Sequence, residues 1–368
     1  MIQTKGNFRI FTVVTVLILL TVAAGCLDRP LTPGHRTLEG DVWVLKLDDA
    51  GNREWFTVID SGRFDEAFAF IEAPAGYAIA GSVSDAGEFH PAPRVILLDR
   101  EGAVAWDTTY PATDDRRGTG IASAGSEGFA VAASHGLVIL TDTDGNERHC
   151  IDLAAEGEYW AIAPSSVGGW IAAGDDRTAR INANGTVAWR ELTGGVSPGS
   201  IPIIVPDPAG GFLVAGEAVG APGDITATRF DDRSTQVWNT TIRGDPGERY
   251  LLSAARQDPV GSYSLLAGIM GAEPAGVLEV SLGEGGSILQ RSPINTSAPV
   301  TWTSDGGYLS AALAENDYGG ALLRVEKLDE DGAVQWTSTQ RLDEYSSVVA
   351  LIPTSDGGSA VLGMYMKY

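Results

Sequence analysis

The chain predicts an all-β, seven-bladed β-propeller with four antiparallel strands per blade. Three observations point there. First, a short pattern recurs seven times along the 368 residues. An Asp or Asn ends an alternating apolar run, a Gly follows three positions on, and often a Trp four later. The passes are Asp48/Gly51/Trp55, Asp99/Gly102/Trp106, Asp142/Gly145/His149, Asn182/Gly185/Trp189, Asp231/Ser234/Trp238, Gly283/Gly286/Gln290 and Asp329/Gly332/Trp336. The last position returns every 40 to 52 residues, a period of repeat folds whose units bury their apolar faces on their neighbours. Second, short apolar runs between Gly-rich turns occur throughout, without sustained 3.6-residue periodicity. Third, each end of the repeat region supplies half a unit.

The N-terminus is set apart from the fold. Lys5 and Arg9 precede an apolar run from Ile10 to Ala24, followed by Gly25 and Cys26. Residues 1–25 read as a signal peptide of the lipoprotein type, with Cys26 the expected lipidation site. An uncleaved N-terminal anchor is the alternative reading, since the run is short for a membrane span. Residues 26–40, with Pro30, Pro33 and Gly34, read as a lipid-anchored tether. Either reading places the chain outside the cell, held at the outer face of the membrane. The net charge is −23. Without residues 1–25, which hold two basic residues and no acid, it is −25 (23 basic, 48 acidic). Such a surface repels nucleic acid. Cys150 is the only other cysteine, so with Cys26 lipidated no intrachain disulfide is expected, and Cys150 itself reads as structural. Asn184, Asn239 and Asn295 begin sequons compatible with export.

One blade can be read from residues 67 to 108. Ala67–Ala73 suits a crowded inner strand, and Gly76–Gly81 a second strand opened by Gly and an aromatic. Arg94–Asp99 supplies the third, Ala103–Trp106 the fourth. The Gly-aromatic opening returns at Gly128-Phe129, Gly169-Trp170, Gly211-Phe212, Ser262-Tyr263 and Gly307-Tyr308, and weakly at Gly358-Ser359. The recurrent Asp accepts backbone N–H groups in a tight turn, and the Gly takes the left-handed conformation that closes a bulged hairpin. Asp142–Gly145 and Asp329–Gly332 superficially resemble calcium loops but lack the later bidentate Glu, so no metal is expected. Trp55, Trp106, Trp189, Trp238 and Trp336 are expected to dock against the neighbouring blade.

The repeat region, residues 41–368, begins with a third strand (Asp41 to Leu47) and a fourth (Arg53 to Ile59). It ends with a first (Ser346 to Pro353) and a second (Gly358 to Tyr365). Two N-terminal and two C-terminal strands would therefore complete the last blade and shield its edges.

The run Val42-Trp43-Val44-Leu45-Lys46-Leu47-Asp48-Asp49-Ala50-Gly51-Asn52-Arg53-Glu54-Trp55, with Ser304-Asp305-Gly306-Gly307-Tyr308, resembles repeats of exported prokaryotic, notably archaeal, propeller proteins. Their unit reads WLLKLDxxGxxxW … DGGYIVAG. It also resembles the tryptophan-docking repeat of quinoprotein-like propellers. The likeness spans residues 41 to 368 and speaks for fold. Quinone-dependent dehydrogenases of that superfamily are normally eight-bladed and carry an adjacent cysteine pair. Seven units without a Cys-Cys carry over no cofactor. Lipid-anchored propellers of this kind serve as scaffolds in envelope assembly, an analogy of fold.

Strand alternation puts the 1–2 and 3–4 links of each blade on one face, and the longer, polar 2–3 and interblade links on the other. Function concentrates in such loops. The expected partner-binding residues there are Asp114, Asp115, Arg116 and Arg117, with Arg243, Asp245, Glu248 and Arg249. Solvated loops are the plainer reading of both clusters. His90, His135 and His149 have no metal-ligand spacing, and no nucleophile elbow or phosphate-cradling loop occurs, so no catalytic residue is nominated. The sequence thus favours a surface-anchored, non-catalytic scaffold for a protein or cell-surface polymer. The alternative is a secreted carbohydrate-active hydrolase with carboxylates at the channel mouth, then a quinone-dependent dehydrogenase.

Overall fold

The structure, a computed structural model, describes residues 39–85, 90–111, 114–154, 157–271, 276–315, 321–342 and 346–367. The expected leader, Cys26 and nearly all of the tether lie outside the described residues.

The strands are β1 (Glu39–Leu47), β2 (Arg53–Ile59), β3 (Phe64–Ala73), β4 (Gly76–Ser84), β5 (Ala92–Leu98), β6 (Val104–Thr109), β7 (Gly118–Ser123), β8 (Phe129–Ala133), β9 (Leu137–Thr141) and β10 (Glu147–Asp152). There follow β11 (Ala161–Pro164), β12 (Trp170–Ala173), β13 (Arg177–Ile181), β14 (Val187–Leu192), β15 (Ile203–Pro206), β16 (Phe212–Glu217), β17 (Ile225–Phe230), β18 (Gln236–Ile242), β19 (Arg249–Gln257) and β20 (Tyr263–Met270). The last are β21 (Gly276–Leu282), β22 (Ile288–Ile294), β23 (Val300–Trp302), β24 (Tyr308–Glu315), β25 (Ala321–Leu328), β26 (Val334–Leu342), β27 (Ser346–Pro353) and β28 (Ser359–Lys367).

This is an all-β propeller, but its sheets do not fall into seven separate blades. Among the described residues, five sheets of four strands stand alone: β7–β10, β11–β14, β15–β18, β19–β22 and β23–β26. The other eight strands form one continuous sheet. In it the group β27-β28-β1-β2 meets the group β3-β4-β5-β6 through a single parallel bridge, Gly40 to Phe64. The fusion has a local cause. A Cβ at Gly40 would stand 3.0 Å from the Asp65 carbonyl oxygen and 3.1 Å from the Phe64 ring, so the bare backbone eases the close approach of β1 to β3. Along β1, β28 pairs antiparallel from Glu39↔Lys367 to Leu47↔Ser359, so both ends of the chain share one sheet.

Each group's first strand touches the next group's first strand. The contacts run β3 to β7, β11, β15, β19, β23 and β27, then back to β3. Burial follows from this packing. β4 is buried at every position and β5 at nearly every one, because both faces are covered, whereas the outer strand β6 is half-buried at best. The apolar clusters lie between sheets: Leu213, Ile225 and Ala227 of one pack with Tyr250, Leu265 and Val280 of the next.

The recurrent turns are bulged hairpins. Asp48 Oδ1 accepts the N–H groups of Ala50 (3.0 Å) and Asn52 (2.7 Å); Asp142, Asp231 and Asp329 do the same two and four residues on. These bonds, led by that from the Asn52 side chain, hold Asp48 below the usual carboxylate range. Above several turns lies an indole from the preceding four-strand group. Trp55 Nε1 donates to Arg100 O (2.9 Å), Trp106 to Thr143 O (2.9 Å), Trp238 to Glu284 O (2.7 Å) and Trp336 to Asp49 O (2.9 Å). The last bond links the C-terminal part of the ring to the turn between β1 and β2. Gly51 is required twice over: its φ is +81°, and a Cβ would sit 2.6 Å from Trp336 Cε3. Trp189 breaks the series. The turn beyond it carries Ser234 (φ 65°) instead of Gly, and its indole N–H is buried without an acceptor.

A second device, seen in three sheets, ties an acid of the turn between the first and second strands to a basic residue of the third strand. Lys46, one residue before the β1 turn and fully buried, reaches Asp356 (2.8 Å) and Glu54 (2.7 Å). Lys327 reaches Asp305 (2.6 Å), and Arg229 reaches Asp207 (2.6 Å). In these three sheets the basic residue of the third strand and the acid of the turn between the first and second strands thus form a pair within the sheet, absent from the sequence reading.

Candidate functional site

The two nominated clusters do not come together. One lies between the β3–β6 and β7–β10 sheets, the other between β15–β18 and β19–β22, three sheets around the ring. In the first, much of the charge is absorbed by the fold. Arg116 is buried, with Asp114 at 3.3 Å and Asp152 at 3.7 Å, and its backbone N–H donates to Pro91 O. Arg117 donates to Glu66 Oε2 (3.0 Å), which also accepts from Ser82. Asp115 meets His90 at 2.7 Å and remains on the surface. A buried guanidinium offers a partner nothing, so Arg116 is a strut of this loop.

The second cluster is presented differently. Arg243, Asp245 and Arg249 are exposed and Glu248 half-buried. Arg249 stands 3.7 Å from Glu217, whose Oε1 accepts the Gly223 N–H (3.1 Å). Three loops are stitched side by side through backbone bonds: Val219 N–H to Gly195 O (3.3 Å), and Tyr250 N–H to Gly223 O (2.7 Å). Val219 on the middle loop is 56 % exposed, and at the strand ends beside the loops Leu192 of β14 is 73 % and Leu251 of β19 37 % exposed. Exposed aliphatic side chains beside two exposed arginines, on an otherwise acidic protein, form a surface suited to contact.

Two cavities open on the opposite face, among the tight turns that the sequence reading set aside. One, about 580 Å³, lies between the β15–β18 and β19–β22 sheets, lined by Pro206, Asp207, Pro208, Arg256, Gln257 and Asp258 among others. Asp207 accepts from Arg229 and from the Tyr263 hydroxyl (3.0 Å). Burial pushes the Asp207 carboxyl up, but the Arg229, Ala209 and Tyr263 hydrogen bonds outweigh it and hold the group below its usual range. Burial and Asp207 push the Tyr263 phenol up to about 12 despite Arg229. Both groups therefore keep one protonation state at neutral pH, Asp207 as acceptor and Tyr263 as donor, and neither is poised for proton transfer. Arg256 stacks over the Trp302 ring at 4.3 Å, with Asp258 at 3.4 Å from its Nε. The second cavity, about 400 Å³, lies between β7–β10 and β11–β14.

Asp41, Asp60 and Asp65 bring one carboxylate oxygen each within 4.8 Å of one another. Arg94 enters the same cluster, paired with Asp65 and Asp107, so a cation is already supplied by the protein. His90 lies on a loop and His149 on the outer strand β10 of a different sheet, and they do not converge. The sequence reading did not single out Asp207: it lies between first and second strands, outside the repeated turn pattern, and without its partner on the third strand the acid looked like any loop residue.

Neither a known family profile nor a curated protein matches the chain. Among solved structures, the WD40 β-propeller domain of Doa1 is similar, with a TM-score of 0.51 at 10 % identity over 83 % of this chain and 94 % of that one. A protein of unknown function from Bacteroides caccae aligns with a TM-score of 0.44 at 14 % identity, over 71 % of this chain and 93 % of that one. The Doa1 likeness supports the propeller fold and nothing finer.

Proposed function

We propose that the protein is an exported, membrane-tethered propeller that serves as a non-catalytic scaffold, gripping a protein or cell-surface polymer with its loop-rich face. In this reading the eight-stranded sheet acts as two blades of a seven-bladed ring; the closed circuit of first strands supports that count. The observation that carries the function is the stitched surface of Leu192, Val219 and Leu251 beside Arg243 and Arg249. Rigid backbone ties hold these loops before any partner arrives, which lowers the ordering cost of binding. The carboxylates give the hydrolase reading little support: Asp207 is held ionised, and Asp65, whose pKa burial raises, is sealed from solvent beside Arg94. Cys26 would carry the lipid, and replacing it with Ser should release the protein from membranes into the medium.

The test is cross-linking capture from intact cells. Arg243→Glu with Arg249→Glu should lose the specific partner, while Arg53→Glu on the ring wall keeps it. Equal recovery by all three proteins refutes the choice of surface.

A further inference from the structure

Three seams depart from the indole pattern, through His149, Trp189 and Gln290, and the one between the β7–β10 and β11–β14 sheets is the one where another ring, His149, takes the place of the indole. At four seams an outer-strand indole donates to the carbonyl two residues before the next turn's third-position glycine. At three of them it also meets, edge-on, the aromatic ring that opens the next sheet's second strand: Trp55 on Tyr77 at 5.5 Å, Trp106 on Phe129 at 5.9 Å and Trp238 on Tyr263 at 5.8 Å. Here the corresponding residue is His149. Its imidazole lies over Gly185 as the indoles lie over their glycines, for a Cβ there would meet His149 Cγ at 2.7 Å. The ring that would receive an indole is Trp170, and the carbonyl that would accept its N–H belongs to Ala183.

His149, Trp170 and Ala183 all line the cavity of about 400 Å³, with Phe129, Leu140 and Pro164 as apolar wall and Glu127 and Arg148 among its polar lining. This cavity coincides with the seam where a smaller ring stands in the indole's place. Its walls belong to two packed sheets and are preformed. The cleft is open to solvent on the His149 side, which is exposed, and most small-molecule sites combine such partly apolar walls with few polar groups.

We propose that this cavity binds a small planar aromatic molecule carrying an N–H donor, of the indole class. The ligand inserts beside His149 against Trp170 and completes the seam that the chain's own tryptophans complete elsewhere. The site lies on the face opposite the loop surface above and does not depend on that reading.

The probe is 5-fluoroindole, titrated into the full chain and followed by 19F NMR. The wild type should give saturable broadening of the probe signal. His149→Trp should fill the seat, weaken binding by at least about tenfold and raise the urea midpoint. Ala124→Leu, which narrows the cavity from another wall, should weaken binding without touching the seam hydrogen bonds. Absence of saturable binding to the folded wild type overturns the proposal. So does undiminished binding to either variant once its fold is verified by circular dichroism.

Discussion

Replacing Gly51 with Ala isolates the seam contact that joins the two ends of the ring, provided Gly332→Ala is measured beside it. Both glycines occupy the same turn position with nearly the same φ, +81° and +79°. A side chain at either costs about 1–2 kcal/mol for the left-handed backbone. Only Gly51 lies beneath an indole: its added Cβ would stand 2.6 Å from Trp336 Cε3 and 2.7 Å from Cδ2, whereas that of Gly332 finds only Ile294 Cγ2 at 3.6 Å. Position 290, which would cover Gly332, is Gln. Displacing the indole adds an overpacking cost of about 1–3 kcal/mol and strains the Trp336–Asp49 hydrogen bond. Gly51→Ala should therefore be less stable than Gly332→Ala by about 1–3 kcal/mol, read as a lower urea midpoint at unchanged slope. In a double-mutant cycle Trp336→Ala should relieve that excess, giving a coupling of similar size. Equal destabilisation by the two glycine substitutions, or a cycle that closes at zero, refutes the docking argument.

Lys46 supplies a second test. Glu54→Gln with Asp356→Asn leaves its ammonium buried and unpaired and should cost about 3–5 kcal/mol, whereas Lys46→Met, which removes the charge, should cost clearly less; the reverse order in urea melts contradicts the pairing. The same contacts make the fold acid-sensitive. The Lys327 hydrogen bond lowers Asp305 to about 2, and Lys46 outweighs burial to bring Asp356 to about 2, both from 3.8. Their contribution is present above pH 4 and is lost as pH falls towards 2. Asp305→Asn with Asp356→Asn should flatten the loss of stability over that window, and an unchanged acid limb would contradict it.

Local features were legible in the sequence, and features that cross seams largely were not. The bulged turns could be read because the Asp, the Gly and the backbone they organise lie within five residues. The indole stripe was visible because its spacing repeats. Its acceptors were not visible, since Trp55 bonds a carbonyl 45 residues away and Trp336 one 287 residues away. Arg116 read as a surface charge because its burial depends on Asp152 and Pro91, brought together only by the closure of two sheets. The cavities escaped for the same reason: each is a gap between sheets, and His149 matters only for what it fails to fill. The fusion of eight strands into one sheet turned on Gly40, which the sequence reading had assigned to the tether.

Closure of the ring is tested most directly by joining its two ends chemically. Arg53 and Gln340 sit on the outer strands of the first and last groups, with Nη1 and Oε1 3.5 Å apart. With Arg53→Cys and Gln340→Cys in a Cys150→Ser background, a short bis-maleimide should yield a monomeric, internally cross-linked chain whose two termini stay linked after proteolysis between them. Cross-linking only between molecules, or none in the folded protein, contradicts the closed ring.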